Sequence, residues 1–219
     1  MVEAATANAG WCDAVCRALG LPTRWAVDAW TVAERSPGGY PDAVTLSREA
    51  EAAAVLKHVE DGRGCSVKDS LPCWIWCRRD FTCSSRRPGS DDRRLPKPGR
   101  RPRWTGAACK TPTELEQWSE GLGLDVFVPA LLDSDDLWFC GAGSADGAGF
   151  ALNRSGGVVG VSNVFAGSAD LITVWSDLVV VAARMYPGFD LVGYELGADL
   201  QAALSLGFVG IGQLRVWMR

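Results

Sequence analysis

Two adjacent titratable residues, Tyr194 and Glu195, end an apolar stretch that predicts a β-strand over 189–195. A carboxylate at the end of a strand can accept a proton and a phenol can donate one, which is the chemistry of general acid–base catalysis. A structural interpretation also fits, with Tyr194 as an aromatic at the edge of the core and Glu195 as a solvated strand end. Both interpretations stay open at the level of sequence.

Histidine and cysteine offer little further chemistry. The chain has one histidine, His58, which argues against a His-rich metal site and against a Ser-His or Cys-His nucleophile. His58 lies in an Ala-rich helical run, so we expect a solvated surface residue. Cys73, Cys77 and Cys83 have the spacing of no common zinc finger or ribbon, so we expect no metal site.

Positive charge is concentrated in one segment. Residues 71–103 hold ten Lys/Arg and three Asp, a charge of about +7. Because the whole chain has a net charge of −4, the remaining residues together carry about −11. The paired arginines of this segment could contact nucleic acid electrostatically, but an unfolded solvated loop is the simpler interpretation. The chain as a whole lacks a uniformly basic surface, and we expect no nucleic-acid partner.

Composition indicates an ordinary globular protein. The chain has 219 residues, of which 47% are hydrophobic and 22% charged. No apolar stretch approaches the length of a membrane span, and the first residues lack the basic and apolar regions of a secretory signal. We therefore expect a cytoplasmic protein without a membrane partner, with its eight cysteines as reduced thiols.

The elements that would position these residues divide the chain into three parts. Residues 1–70 predict an α/β unit, with an amphipathic helix carrying Trp11, Val15 and Leu19, a short strand ending near Leu46, a helix over about 48–60, and a strand beginning at 65–68. Residues 71–103 show neither helical nor strand periodicity. Residues 104–219 predict the order β-α-β-β-β-α-β-α-β.

Local signals support that order in the last part. Thr111-Pro112-Thr113-Glu114 is a capping-box arrangement with proline at the first helical position. Strands are predicted at 136–140, 147–153 and 158–165. A helix capped by Ser168 should run to about Met185, and a short helix should stop at Gly207 before a last strand over 209–217.

This order, with a three-stranded meander leading into a long helix, resembles the Gcn5-related N-acetyltransferase (GNAT) fold. The segment Asp199–Phe208, which ends in Gly-Phe, is similar to the family's penultimate helix. The resemblance implies an α/β (α+β) fold with a mixed, mostly antiparallel sheet flanked by helices. Residues 1–70 resemble an added N-terminal unit found in bacterial GNAT-like proteins of unassigned function.

The resemblance also implies an acetyl-CoA site. In the family, backbone N–H groups of a Gly-rich loop and the following helix N-terminus bind the pyrophosphate. The matching residues here are Val164, Phe165, Ala166, Gly167, Ser168 and Ala169. They retain one glycine of the family pattern, and Asp170 follows in the first helical turn, where it can satisfy the amides itself and would repel a phosphate. Ser168 and Asp170 as plain helix caps form the alternative.

The implied activity is transfer of an acetyl group from acetyl-CoA to an amine of a small molecule or peptide. Many members carry a tyrosine as general acid where this chain has Ala203, so Glu195 as base and Tyr194 as acid are the nearest substitutes. A non-catalytic module that binds a ligand through the same cleft is a second hypothesis. An inactive product of a frameshifted gene is a third.

The third hypothesis rests on residues 71–103. In a shifted frame, the third base of each codon and the first two bases of the next codon form a new codon. In that frame the run from Cys73 to Cys77 must encode four residues, whichever codons are used: Leu, then Asp, then Leu or Met, then Val. With ordinary codon choices, the first twenty residues of the shifted translation become two apolar strands around a Pro-x-Gly turn, typical of a β-hairpin. Paired frameshifts would therefore explain the abrupt change of composition at both ends.

Overall fold

The structure, a computed structural model, describes residues 1–71, 108–141 and 147–219 together with the backbone of residues 79–86. A 3-10 turn, Pro129–Asp133, precedes the meander. The helices and strands are α1 (Val2–Ala18), β1 (Thr23–Trp25), β2 (Ala29–Val32), β3 (Ala43–Thr45), α2 (Ala52–Leu56), β4 (Ser66–Asp69), β5 (Arg79–Arg86), α3 (Pro112–Leu122), β6 (Leu137–Cys140), β7 (Gly149–Ser155), β8 (Val158–Phe165), α4 (Leu171–Met185), β9 (Asp190–Glu195), α5 (Gly197–Ser205) and β10 (Val209–Met218).

The described strands form one sheet in the order β1-β2-β3-β4-β10-β5-β9-β8-β7-β6. Two neighbouring pairs, β3–β4 and β8–β9, are parallel, and a helix connects each of them. The other pairs are antiparallel. The predicted mixed, mostly antiparallel sheet flanked by helices is therefore confirmed. No helix among the described residues is long and apolar enough to cross a membrane.

Helix α1 packs on one face of the sheet and touches both halves of the chain. Trp11 and Val15, from the predicted apolar stripe, are buried. The ring of Trp11 lies 5.7 Å from Phe139 and 6.1 Å from Phe127, both in the C-terminal half. Its Nε1 donates to the hydroxyl of Tyr40, in the N-terminal half, at 3.1 Å. One aromatic core thus spans the two halves.

Helix α3 begins with the capping box that the sequence predicts. The Thr111 hydroxyl accepts from the backbone N–H of Glu114 at 3.3 Å, and the Glu114 carboxylate accepts from the Thr111 N–H at 3.0 Å. The helix ends at Gly123, whose φ of 77° is the left-handed conformation that glycine adopts without strain. These caps fix the position of Trp118, which is fully buried and donates to the Cys140 carbonyl at 3.0 Å.

Helices α4 and α5 pack on the opposite face of the sheet. Trp175, Leu178 and Ala182 of α4 are fully buried, as the predicted stripe requires, while Leu171 is partly buried. Trp175 makes an edge-to-face contact with Phe208 at 5.6 Å. This second core lies beneath the candidate site.

Several sequence expectations differ from the structure. The helix expected over 48–60 is the single turn α2, Ala52–Leu56, in which only Val55 is buried, so a longer helix would gain little from packing. Strands β1 and β2 were not predicted because each is only three or four residues long. The strand expected near Trp104 lies outside the described residues, apart from a single bridge between Ala108 and Cys140.

Residues 71–103 contain a strand, although the sequence as it stands predicts none there. Backbone hydrogen bonds place Arg79–Arg86 between β10 and β9 near the middle of the sheet. Its residue types alternate only over 80–84, a run too short to predict a strand, so tertiary pairing contributes more than local propensity. The first strand of the predicted hairpin lies outside the described residues.

Candidate functional site

The candidate site is an opening between the parallel strands β8 and β9. Their register runs from Val158–Asp190 to Val161–Gly193 and stops there. Both strands continue beyond it, β8 to Phe165 and β9 to Glu195. Two parallel strands that are hydrogen-bonded at one end and separate at the other leave a gap between them. An extended ligand can insert into such a gap.

A β-bulge marks the start of this gap. Between the pairs Ala151–Ser162 and Gly149–Phe165, β8 has one residue more than β7. The extra length is taken up near Asn163, whose φ of 52° makes it the one described non-glycine residue with positive φ. Asparagine tolerates this conformation better than most residues. Such a bulge redirects the backbone away from the ladder.

The N-terminal half supports the bulge. Burial raises the pKa of Tyr40, and side-chain hydrogen bonds with Trp11 and Asn163 act in the opposite direction. Trp11 Nε1 of α1 donates to the Tyr40 hydroxyl at 3.1 Å, and Asn163 lies close enough to act on the pKa of Tyr40. Sequence reasoning missed this contact, because neither the positive φ nor the long-range partner leaves a local signal.

The predicted cofactor segment, Val164 to Ala169, presents mainly backbone. Phe165 packs edge-to-face on Trp118 at 5.3 Å, on the α3 side of the sheet. Val164, Ala166 and Ala169 are partly buried against the α4 core on the other side. Gly167 and Ser168 are exposed. Any ligand held by this segment would therefore meet its peptide groups more than its side chains.

Helix α4 is capped by Asp170 and not by Ser168, the other cap that the sequence offered. The Asp170 carboxylate accepts from the Thr173 N–H and from the Thr173 hydroxyl, both at 2.9 Å. Asp170 is the better cap, because a charged acceptor at the helix N-terminus is stabilised by both the hydrogen bond and the helix dipole. The residues present at this helix start therefore do not fit a diphosphate, since a carboxylate already occupies the anion position.

Glu195 is half-buried at the end of β9, beside the opening. A Cβ placed on Gly193 would lie 3.7 Å from Glu195 Oε1 and 3.7 Å from Val161 Cβ, so all three share one face. Burial raises the pKa of Glu195 to about 8; the Asp199 carboxylate adds to this rise and Lys68 opposes it. A carboxyl group with such a pKa exchanges protons near neutral pH.

Tyr194 lies on the opposite face of the sheet. Its ring packs on the cluster of Ala4, Ala7, Val158 and Val192 next to α1. Because neighbouring residues of a strand point to opposite faces, Tyr194 and Glu195 cannot act on the same side of the sheet. The strand period of two could have revealed this separation from the sequence.

Ala203, at the position of the family's tyrosine, is fully buried between α4 and α5. Asp199, four residues earlier, accepts a hydrogen bond from Trp175 Nε1 at 3.0 Å. That bond fixes the carboxylate that acts on Glu195. Sequence reasoning placed Asp199 only in a helix motif and missed its electrostatic effect.

The other cysteines and the histidine of the described residues are not grouped for chemistry. Cys12, Cys16, Cys65, Cys109 and Cys140 are buried thiols, and burial raises the pKa of both Cys16 and Cys140 to about 12. His58 is exposed, as predicted. Among the described residues, no three His, Cys, Asp or Glu side chains are grouped to hold a metal ion. Cys73 and Cys77 lie outside the described residues.

Two clefts lined by described residues lie away from the opening. One, of about 590 Å³, runs between α1 and the start of β6. Four of the five charged residues that line it form two pairs, with Arg17 3.7 Å from Asp13, and Arg154 Nε donating to Asp136 at 2.7 Å. The other, of about 600 Å³, runs along the outer face of α3.

No family model matches the chain, and no curated protein matches it. Among solved structures, it is similar to a GCN5-related N-acetyltransferase from Kribbella flavida, with 13% identity and a TM-score of 0.57, and the match covers 95% of this chain and 94% of that one. At this identity the similarity shows the fold. The similarity in fold therefore covers nearly the whole chain and not its C-terminal half alone.

Proposed function

We propose that the protein transfers an acyl group from an acyl thioester, with acetyl-CoA as the donor to be tested, to an amine of a small molecule or peptide. The observation that carries this proposal is the opening between β8 and β9 with Glu195 at its edge. An extended acyl–thioester arm has the width of a strand and suits a gap in a ladder. The acceptor amine would approach on the face of Glu195.

Glu195 is the proposed proton acceptor. Acyl transfer to an amine requires that the amine lose a proton as the new bond forms, and a base with a pKa near the working pH does this best. Glu195, with its pKa raised to about 8 first by burial and then by Asp199, meets that condition. The rate should therefore rise with pH through about 8.

Tyr194 is the proposed proton donor to the leaving thiolate. Tyr194 lies on the face of the sheet opposite Glu195. The acceptor amine would therefore approach from the Glu195 face and the thioester from the Tyr194 face, and the two would meet in the opening. Changing Tyr194 to Phe tests this role, because the ring is retained and only the hydroxyl is lost. We expect a fall in kcat with little change in KM.

The donor's diphosphate has no proposed ligand. Peptide groups of Val164–Ala169 could align an extended chain, but Asp170 opposes an anion at the start of α4. We assign no step to that part of the molecule. Weak binding of acetyl-CoA is the expected consequence.

Calorimetric titration with acetyl-CoA, followed by thiol-release assays over a panel of amines, tests the proposal. We expect measurable binding below millimolar cofactor and turnover that Glu195→Gln lowers by about 100-fold or more. Gln keeps the size of the side chain and removes its proton exchange. No binding at millimolar acetyl-CoA would exclude the enzyme.

A non-catalytic binding module is a second candidate. Two observations favour it: the Asp170 cap at the anion position and the burial of Ala203 where a general acid would stand. Binding of an extended ligand at the opening without turnover would identify this alternative.

A further inference from the structure

Strand β5 lies in the interior of the sheet. It pairs with β10 on one edge and with β9 on the other, antiparallel to both. The residues opposite it include Leu214, Val192 and Leu191, all of which are buried. An antiparallel strand that packs one face on a core usually alternates apolar and polar residues. The sequence of Arg79–Arg86, RDFTCSSR, alternates over residues 80–84 and then has Ser85 and Arg86 opposite the buried Val192 and Leu191.

The genetic code allows a different strand at the same place. Read from the third base of each codon, Asp80 followed by Phe81 encodes Leu or Phe, whichever codons are used. Phe81 followed by Thr82 encodes His or Tyr, and Thr82 followed by Cys83 encodes Leu, Met or Val. No choice of codons at these three junctions gives a stop. Every choice of codons at these three junctions therefore gives an apolar residue, then a polar or tyrosine residue, then an apolar residue.

The register matches this alternation to the two faces of the sheet. Loss of a single base upstream would put the three shifted residues at positions 81, 82 and 83. Position 81 pairs with Leu214, and position 83 pairs with Tyr194. Leu214 is buried and Tyr194 packs on the α1 side, so the two apolar residues fall beside buried neighbours.

The remaining shifted residue falls beside the candidate site. Position 82 pairs with Glu195 of β9 and with Gln213 of β10. Side chains of directly opposite residues in antiparallel strands have Cβ atoms roughly 4.5–5.5 Å apart on the same face. A His or Tyr at this position would therefore be within reach of the Glu195 carboxylate.

We propose that residues 72–103 are translated out of frame, and that the strand originally encoded is a core strand carrying His or Tyr opposite Glu195. The assignment of that side chain as a proton-transfer partner of Glu195 rests on the proposed function; the assignment of the strand does not. The chain as it stands then has two polar residue types, Ser85 and Arg86, opposite buried apolar neighbours.

The coding DNA gives the first test. We expect the third-base frame to be open from codon 72 to codon 103. A stop codon anywhere in that frame between codons 72 and 103 overturns the proposal.

The second test measures stability in the full chain. A variant in which residues 72–103 are replaced by the third-base translation should unfold about 5–10 °C higher, because it adds buried apolar surface. The matched control carries the same replacement residues in scrambled order and should show no such gain. An unfolding midpoint equal to or below that of the unmodified chain overturns the proposal, whether or not the protein transfers acyl groups.

The third test addresses position 82. Thr82→Lys should lower the midpoint of the Glu195 carboxyl titration, followed by carbon NMR, by about one pH unit, because an ammonium group stays cationic through pH 8 and favours the carboxylate. The other charged groups that act on Glu195, Asp199 and Lys68, are unchanged. Thr82→Met is the uncharged control of similar length and should not lower the midpoint. Identical titrations in the two variants would show that position 82 does not face Glu195.

Discussion

At the scale of single residues, two carboxylates define the candidate site and oppose each other in effect. Glu195 is a carboxyl group that burial keeps protonated up to about pH 8, so it can exchange a proton near neutrality. Asp170 is a carboxylate fixed at a helix start, where it weakens any anion site. In the function proposed above, the first would act as the base, and the second would weaken the binding of a phosphorylated donor.

Glu195 should make stability depend on pH. Its folded-state pKa of about 8 lies above the ordinary value of 4.5, so the folded protein holds a proton that the unfolded chain releases. The free energy of unfolding should therefore fall as pH rises from about 4.5 to 8, by at most about 1.4 kcal/mol per pH unit. Urea unfolding across this range measures it.

Glu195→Gln is the matched variant for that measurement. It should remove most of the slope and be the more stable protein at pH 8, because no buried charge forms. An unchanged slope would show that another group causes the dependence.

Asp170 should control the affinity for acetyl-CoA. Asp170→Ser retains a capping oxygen and removes the negative charge, so binding should tighten by about 3- to 10-fold at low salt, and less at high salt. The control Asp135→Ser makes the same change of net charge at an exposed position before β6. Equal effects of the two variants would indicate a non-specific charge effect.

At the scale of elements, much of the C-terminal half could be predicted from sequence. Strand β8 matches its predicted bounds, and the Thr111 capping box fixes the start of α3, because periodicity and capping are local signals. The bulge at Asn163 could not be predicted, since a bulge is a mismatch of register between two strands. Strands β1 and β2 were missed because short strands depend on their partners.

The contact between Gly160 and Asn153 gives a prediction at this scale. Asn153 is buried, and its Nδ2 donates to the Ala7 carbonyl at 2.8 Å, which joins β7 to α1. A Cβ on Gly160 would lie 2.2 Å from Asn153 Oδ1. Gly160→Ala should therefore reduce the free energy of unfolding by about 2–3 kcal/mol, measured in urea.

Gly193→Ala is the control for this clash, because its Cβ would make only ordinary contacts at 3.4–3.7 Å in the adjacent strand. It should cost under about 1 kcal/mol. If both alanines cost the same, backbone freedom and not the Asn153 contact would be the cause.

At the scale of the whole molecule, the two halves share one sheet and one aromatic core. Strand β10 pairs with β4 of the N-terminal half and with β5, while α1 contacts residues from both halves. The three-part division predicted from sequence followed composition, which does not record which strands pair. Shared elements of this kind make the halves interdependent in folding.

Leu214, buried in β10, tests this interdependence. Leu214→Ala should cost about 2–5 kcal/mol through the cavity it leaves. Hydrogen exchange followed by mass spectrometry should then show faster exchange in both β2 and β7, by similar factors. A response confined to one half would mean that the halves unfold separately.

The insertion of β10 between β4 and β5 also sets an order of events in synthesis. During synthesis, β4 and β5 leave the ribosome well before β10. Until β10 is made, each of them has an edge without its native partner strand. Such edges accept a matching strand from any source, and the same strand of a second nascent chain is one of the matches available. Exchange of β10 between two copies would produce an intertwined dimer with every native strand pair intact.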